Sequence, residues 1–124
     1  MIVCVRTVSV PSAWSRRYLA WIDAGRAIRE QHGILAELVL RWGDAALDGG
    51  GDIEYLVVTM WPSHEVFDAW IATPYRDALT ASEVHQAVSY RPITRYDLTG
   101  GYMNLAGLMQ LAQFRQTDDR EVER

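Results

Sequence analysis

Only one cysteine, Cys4, occurs in the 124 residues. That excludes an intramolecular disulfide, and a lone thiol cannot build a metal cluster. Set in an apolar run, Cys4 reads as a small buried hydrophobe. No apolar run reaches the ~18 residues that a membrane span needs. The start of the chain lacks the basic segment and apolar core of a signal peptide, so a cytoplasmic protein is expected. Positive charge is not in excess. A formal net charge of -4 gives nucleic acid or an anionic membrane nothing to hold. Gly49, Gly50 and Gly51 lack the Lys-Ser/Thr pair and the following helix of a phosphate-cradling loop, so they read as a hairpin connection. The chain carries no internal repeat and no low-complexity segment.

What is present describes one ordinary globular domain, 49% hydrophobic and 23% charged. Its core is small, and pairing with a second copy is a natural way to bury more. The clearest stretch runs from Ile53 to Pro74. Ile53 to Trp61 is β-branched and aromatic and reads as a strand. Pro62 stops it, Ser63 stands at a helix N-cap, and Glu65 follows in the first turn. The helix continues through Phe67 and Trp70 and ends at Thr73-Pro74.

Around that unit the other elements fall in order. Ile2 to Val10 alternates as a strand with two largely apolar faces, Val3, Val5, Thr7 and Ser9 against Ile2, Cys4, Arg6 and Val8. From about Ala13 to Gln31, the residues Trp14, Tyr18, Trp21, Gly25 and Ile28 form one stripe of a helix. His32-Gly33 is a C-terminal stop. Ile34 to Trp42 is a second strand by position, followed by a turn-rich loop to Asp52. Tyr75 to about His85 reads as helical turns. Val88 to Leu98 reads as a fourth strand, with Pro92 demanding an edge position or a bulge. Residues 1–103 form the predicted domain. Residues 104–124 add a short amphipathic helix capped by Asn104 and a charged tail expected to fray.

The order β-α-β-β-α-β predicts an α+β, ferredoxin-like fold, a four-stranded antiparallel sheet with two helices on one face. The opposite face, read as carrying Leu56, Val58 and Met60 with Ile2, Cys4 and Val8, is too apolar to leave in water, so an isologous homodimer is expected.

The run Thr59-Met60-Trp61-Pro62-Ser63, then Phe67, Trp70 and Pro74, resembles the signature of the antibiotic biosynthesis monooxygenase-like family, which are dimeric α/β barrels. The resemblance spans about residues 1–103. It implies a cavity between sheet and helices in each subunit, and two kinds of chemistry. In cofactor-independent monooxygenases of the family, an aromatic or polyketide-type phenol supplies its own electrons to oxygen. Some use the strand-end Trp, here Trp61, with an Asn four residues earlier, here Val57, and an Arg falling near Thr80, from which Arg76 is displaced. The haem-degrading branch matches at Trp70 but places its axial His at Thr80 and its strand-one Asn at Thr7. His85 lies five residues beyond that His position.

By strand parity, Tyr55, Val57, Thr59 and Trp61 point into the predicted cavity, and so do Val3, Val5, Thr7 and Ser9. Trp14, Tyr18 and Trp21 would join from the first helix, and Phe67 and Trp70 from the second. Such a pocket suits a flat aromatic small molecule. Trp61, Tyr55, Tyr75 and His85 are the candidate catalytic residues, with Tyr90 a further proton carrier. Thr7, Trp14, Tyr18, Trp21, Thr59, Phe67, Trp70 and Thr80 are candidate substrate contacts. Each of these residues also has a plain packing role. Glu37 and Arg41 share a strand face, as a polar end of the pocket or an ion pair at its edge. No metal and no cofactor is expected, with haem as the alternative. A non-catalytic binding module is the competing reading.

Overall fold

The computed structural model describes residues 1–42, 51–76, 81–107 and 109–110. Strand β1 (Ile2–Pro11) is followed by a 3-10 turn (Ser12–Trp14) and helix α1 (Ser15–Gln31). Then come β2 (Ala36–Arg41), β3 (Asp52–Trp61), α2 (His64–Ile71), α3 (Glu83–Gln86), β4 (Ser89–Tyr90) and β5 (Thr94–Asp97). The ferredoxin-like order is the one expected. All strand pairs are antiparallel, in the order β2-β3-β1, with β4 and β5 both on the far edge of β1. These two edge pieces are the predicted fourth strand, interrupted around Pro92, which has no N–H to give to the ladder.

Local chemistry sets the boundaries. The Ser63 hydroxyl accepts from the Val66 N–H at 3.2 Å and starts α2. Gly33 ends α1 at φ +102°, a left-handed conformation that favours glycine. A Cβ there would stand 2.8 Å from Val66 Cγ1, so the stop also lets α2 approach. The glycine-rich hairpin expected at Gly49 to Gly51 falls mostly outside the described residues, as does the charged tail. Asn104 does cap a turn, its Oδ1 accepting from the Gly107 N–H at 3.1 Å.

Register decides which face of β1 meets the helices. Cys4 stands opposite Thr59, Arg6 opposite Val57 and Val8 opposite Tyr55, and directly opposed residues share a face. Ile2, Cys4, Val8 and Val10 are all 3% exposed or less, so this is the helix-covered side. The expected assignment of β1 is therefore reversed. Val3, Val5 and Thr7 lie on the outer face with Leu56, Val58 and Met60, and Arg6 points inward. The parity of β3 is as expected. The outer face stays apolar and continues into β2 and β5, where Leu38, Leu40 and Tyr96 are about half exposed.

The core has two parts. One gathers Val8, Val10, Tyr18, Ile22, Ile53, Tyr55 and Val88, and the other gathers Ile2, Cys4, Trp61, Phe67 and Trp70. Trp61 and Trp70 stack at 6.2 Å, and Phe67 meets Trp61 at 5.3 Å. A cavity touches both parts, and the site is built there.

Candidate functional site

The cavity measures about 150 Å³. Tyr18, Trp21, Trp61, Phe67 and Trp70 supply aromatic walls, with Cys4, Val57, Thr59 and Ile93 beside them. At one end lie Arg6, Arg76, His85 and Tyr90. Three of them arrive there for local reasons. Arg6 is on the inward face of β1, opposite Val57. Tyr90 opposes Val8 in the β1–β4 ladder, which puts its ring on the same face. Ser82 caps α3 by accepting from the His85 N–H at 3.2 Å, and that single turn turns the imidazole toward the sheet.

Tyr90 joins two of the others, Arg6 and His85. The His85 ring stacks on Tyr90 at 4.4 Å and meets Trp21 at 5.8 Å. The Arg6 guanidinium lies over the Tyr90 ring, 5.0 Å from its centroid. Three buried polar atoms, Arg6 Nε, His85 Nδ1 and the Tyr90 hydroxyl, have no hydrogen-bond partner among the described residues. Buried polar atoms are nearly always satisfied, so three together in one cavity mark a place for a ligand or water.

Burial controls protonation here. It pushes the Tyr90 hydroxyl up to about 12, against the pull of Arg6 and Arg76, and raises Tyr18 further still. It lowers His85, with Arg76 and Arg6 adding repulsion, so the imidazole is a free base at neutral pH. Arg6 itself is held below its ordinary range by burial and then by Arg76. Cys4 is raised by burial, and its thiol stays protonated and unreactive.

The wall between α1 and β2 is neutral overall. Arg29 Nε lies 2.7 Å from Glu37 Oε2, and Arg29 Nη2 donates to Glu37 Oε1 at 2.9 Å. The partner of Glu37 is thus Arg29 rather than Arg41, which is exposed.

Of the sequence candidates, Tyr18, Trp21, Thr59, Trp61, Phe67, Trp70 and His85 line the cavity. Trp61 is 1% exposed, and its indole N–H is taken up by donation to Thr59 Oγ1 at 3.0 Å. Tyr55 faces inward, but its hydroxyl is bonded to the Ser15 hydroxyl at 2.7 Å, and it packs behind Tyr18 outside the lining. Tyr75 is 58% exposed and leans on His32. Trp14 packs on the core edge with Arg17 over its ring. Thr7 is on the outer face, and Thr80 lies outside the described residues. Arg6 was missed. The inward side of β1 could have been recognised from Cys4, because free cysteine is among the most buried residue types. Among the described residues, no three His, Cys, Asp or Glu side chains gather as a metal site, and no helix is long and apolar enough to cross a membrane.

No family model matches the chain, and no curated protein matches its sequence. Solved structures do match. SnoaB, a cofactor-independent oxygenase from Streptomyces nogalater, superimposes with a TM-score of 0.63 at 14% identity, covering 83% of this chain and 97% of SnoaB. The haem-degrader MhuD from Mycobacterium tuberculosis gives 0.61 at 20% identity, covering 83% of this chain and all of MhuD. A dimeric ferredoxin-like protein from an uncultured marine organism gives 0.56 at 13% identity, over 82% of this chain and 97% of that one. The chain has the ferredoxin-like α+β fold that antibiotic biosynthesis monooxygenases share.

Proposed function

We propose that the protein is a small cofactor-independent monooxygenase that oxidises a phenolic aromatic or polyketide-type substrate, and that it works as a homodimer in the cytoplasm. The observation that carries this is the aromatic-walled cavity ending in Arg6, Arg76, His85 and Tyr90, with His85 held as a free base. The exposed apolar outer face of the sheet supports the dimer.

The chemistry suits a substrate with a phenolic O–H and an oxidisable ring C–H. His85 takes the phenolic proton. Arg6 and Arg76 stabilise the oxygen as it becomes phenolate. The electron-rich ring carbon gives electrons to dioxygen and forms a C–O bond. Loss of the ring hydrogen and cleavage of the O–O bond leave one oxygen as a quinone carbonyl and release the other as water. The substrate supplies every electron. The proton on His85 returns with the departing water.

Haem fits poorly. A tetrapyrrole would have to extend well beyond a cavity of about 150 Å³.

Oxygen uptake with anthrone- and naphthohydroquinone-type substrates, without added metal or flavin, tests the reading. Uptake lost in His85→Phe is expected. No uptake across the panel, with the aromatics nonetheless bound, would leave a binding module instead. A Soret shift on titration with haemin, abolished by His85→Ala, would favour the haem alternative.

A further inference from the structure

The cavity is positively charged inside an acidic protein, and that contrast has a chemical meaning. The chain carries a net charge of -4. The only carboxylate among the described lining residues, Glu37, is already held by Arg29. Arg6 and Arg76 therefore face the cavity with no counter-charge from its described lining. Placing a cation in a low-dielectric site is costly unless something offsets it. The Tyr90 ring offsets part through its π face. Among the described residues the Arg6 Nε–H has no partner, and neither has the Tyr90 hydroxyl, a second donor that is kept protonated.

We propose that Arg6 and the Tyr90 hydroxyl form a seat for an anionic oxygen, so that the cavity selects aromatic acids, bound as carboxylate or phenolate, over neutral aromatics of the same shape. The proposal rests on the cavity being the substrate site, but not on oxygenase chemistry. The guanidinium fork matches two oxygens of a carboxylate, or one oxygen shared with Tyr90. The aromatic body would lie along Trp21, Trp61 and Trp70. At about 150 Å³ the space takes one or two rings.

Matched bicyclic probes test this on the full chain, read by quenching of tryptophan emission and by calorimetry. 2-Naphthoate against 2-naphthamide tests the carboxylate source. 2-Naphthol against 2-methoxynaphthalene, at rising pH, tests the phenolate source. A preference of about tenfold or more for the anion in either arm is expected, the size of one charge-assisted contact in a desolvated site. Arg6→Met should abolish that preference while leaving neutral-probe affinity within about twofold, because it keeps the side chain's bulk. Arg6→Lys, which keeps the charge without the fork, should retain a reduced preference. Equal binding of both members in both arms overturns the seat, as does a preference that survives Arg6→Met. Anion preference without oxygen uptake sinks the oxygenase reading alone. Uptake without anion preference sinks the seat alone.

Discussion

Arg29 and Glu37 tie α1 to β2 through two contacts of 2.7 and 2.9 Å, with side chains only 12% and 10% exposed. Changing Glu37 to Gln keeps the shape and deletes the charge. Arg29 retains its bond to the Ile22 carbonyl but loses its counter-ion. An uncompensated buried charge costs about 3–5 kcal/mol, and the retained carbonyl contact puts this one near the lower end, about 3 kcal/mol. For a domain of this size that is a fall in Tm of roughly 10–15 °C. Arg29→Met strands Glu37 and should cost a similar amount. The pair Arg29→Met with Glu37→Leu should recover most of the loss, because two apolar side chains of matching volume need no desolvation of charge. Urea denaturation of the four proteins completes the cycle. A cost under about 1 kcal/mol for either single change, or a double change that costs the sum of the singles, would show that the two charges do not depend on each other.

Gly33→Ala should lose about 1–2 kcal/mol, from the positive φ and the approach to Val66, while Gly101→Ala, also at positive φ but with open space around it, should lose less; equal losses in thermal melts would contradict the steric part. Because burial holds His85 below 6.5, the unfolded chain takes up a proton near that value before the native one does. Stability is therefore full above it, falls as the pH drops through it, and levels off once native His85 is charged. Urea midpoints between about pH 7.5 and 5 should show this slope in the wild type and a flatter one in His85→Asn; parallel slopes would remove His85 as the cause. Leu38→Glu, on the exposed outer face, should turn a dimer into a monomer by sedimentation, and a monomeric wild type would refute the dimer outright.

The fold was legible where one signal outweighed the others. Pro62 and Ser63 marked the corner between β3 and α2, and Pro92 marked an interrupted edge strand, because each is a backbone constraint that packing cannot override. The inward face of β3 was legible because Tyr55 and Trp61 alternate with the less bulky Glu54 and Leu56. On β1 parity does not pick out the inward face. Both of its faces are apolar, so alternation does not distinguish them. The long stem of Arg6 lets it sit inward under Tyr90, and the cationic end of the site depends on that side chain. Tyr55 illustrates a second limit. Its direction was correct, yet its hydroxyl is taken by Ser15, a partner forty positions away that no local pattern reveals.

The break around Pro92 has a consequence for solubility. An uninterrupted edge strand offers a row of free amides and carbonyls that can template another chain. Here the edge of the sheet beside β1 is cut into pieces of two and four residues. The longer piece carries Arg95 and Asp97, tied back to Asp68 and His64 of α2. Short, charged and anchored from one side, this edge resists adding a further strand. Changing Pro92 to a β-branched residue would lengthen the ladder and invite fibril-like stacking in a protein whose other sheet surfaces are already apolar.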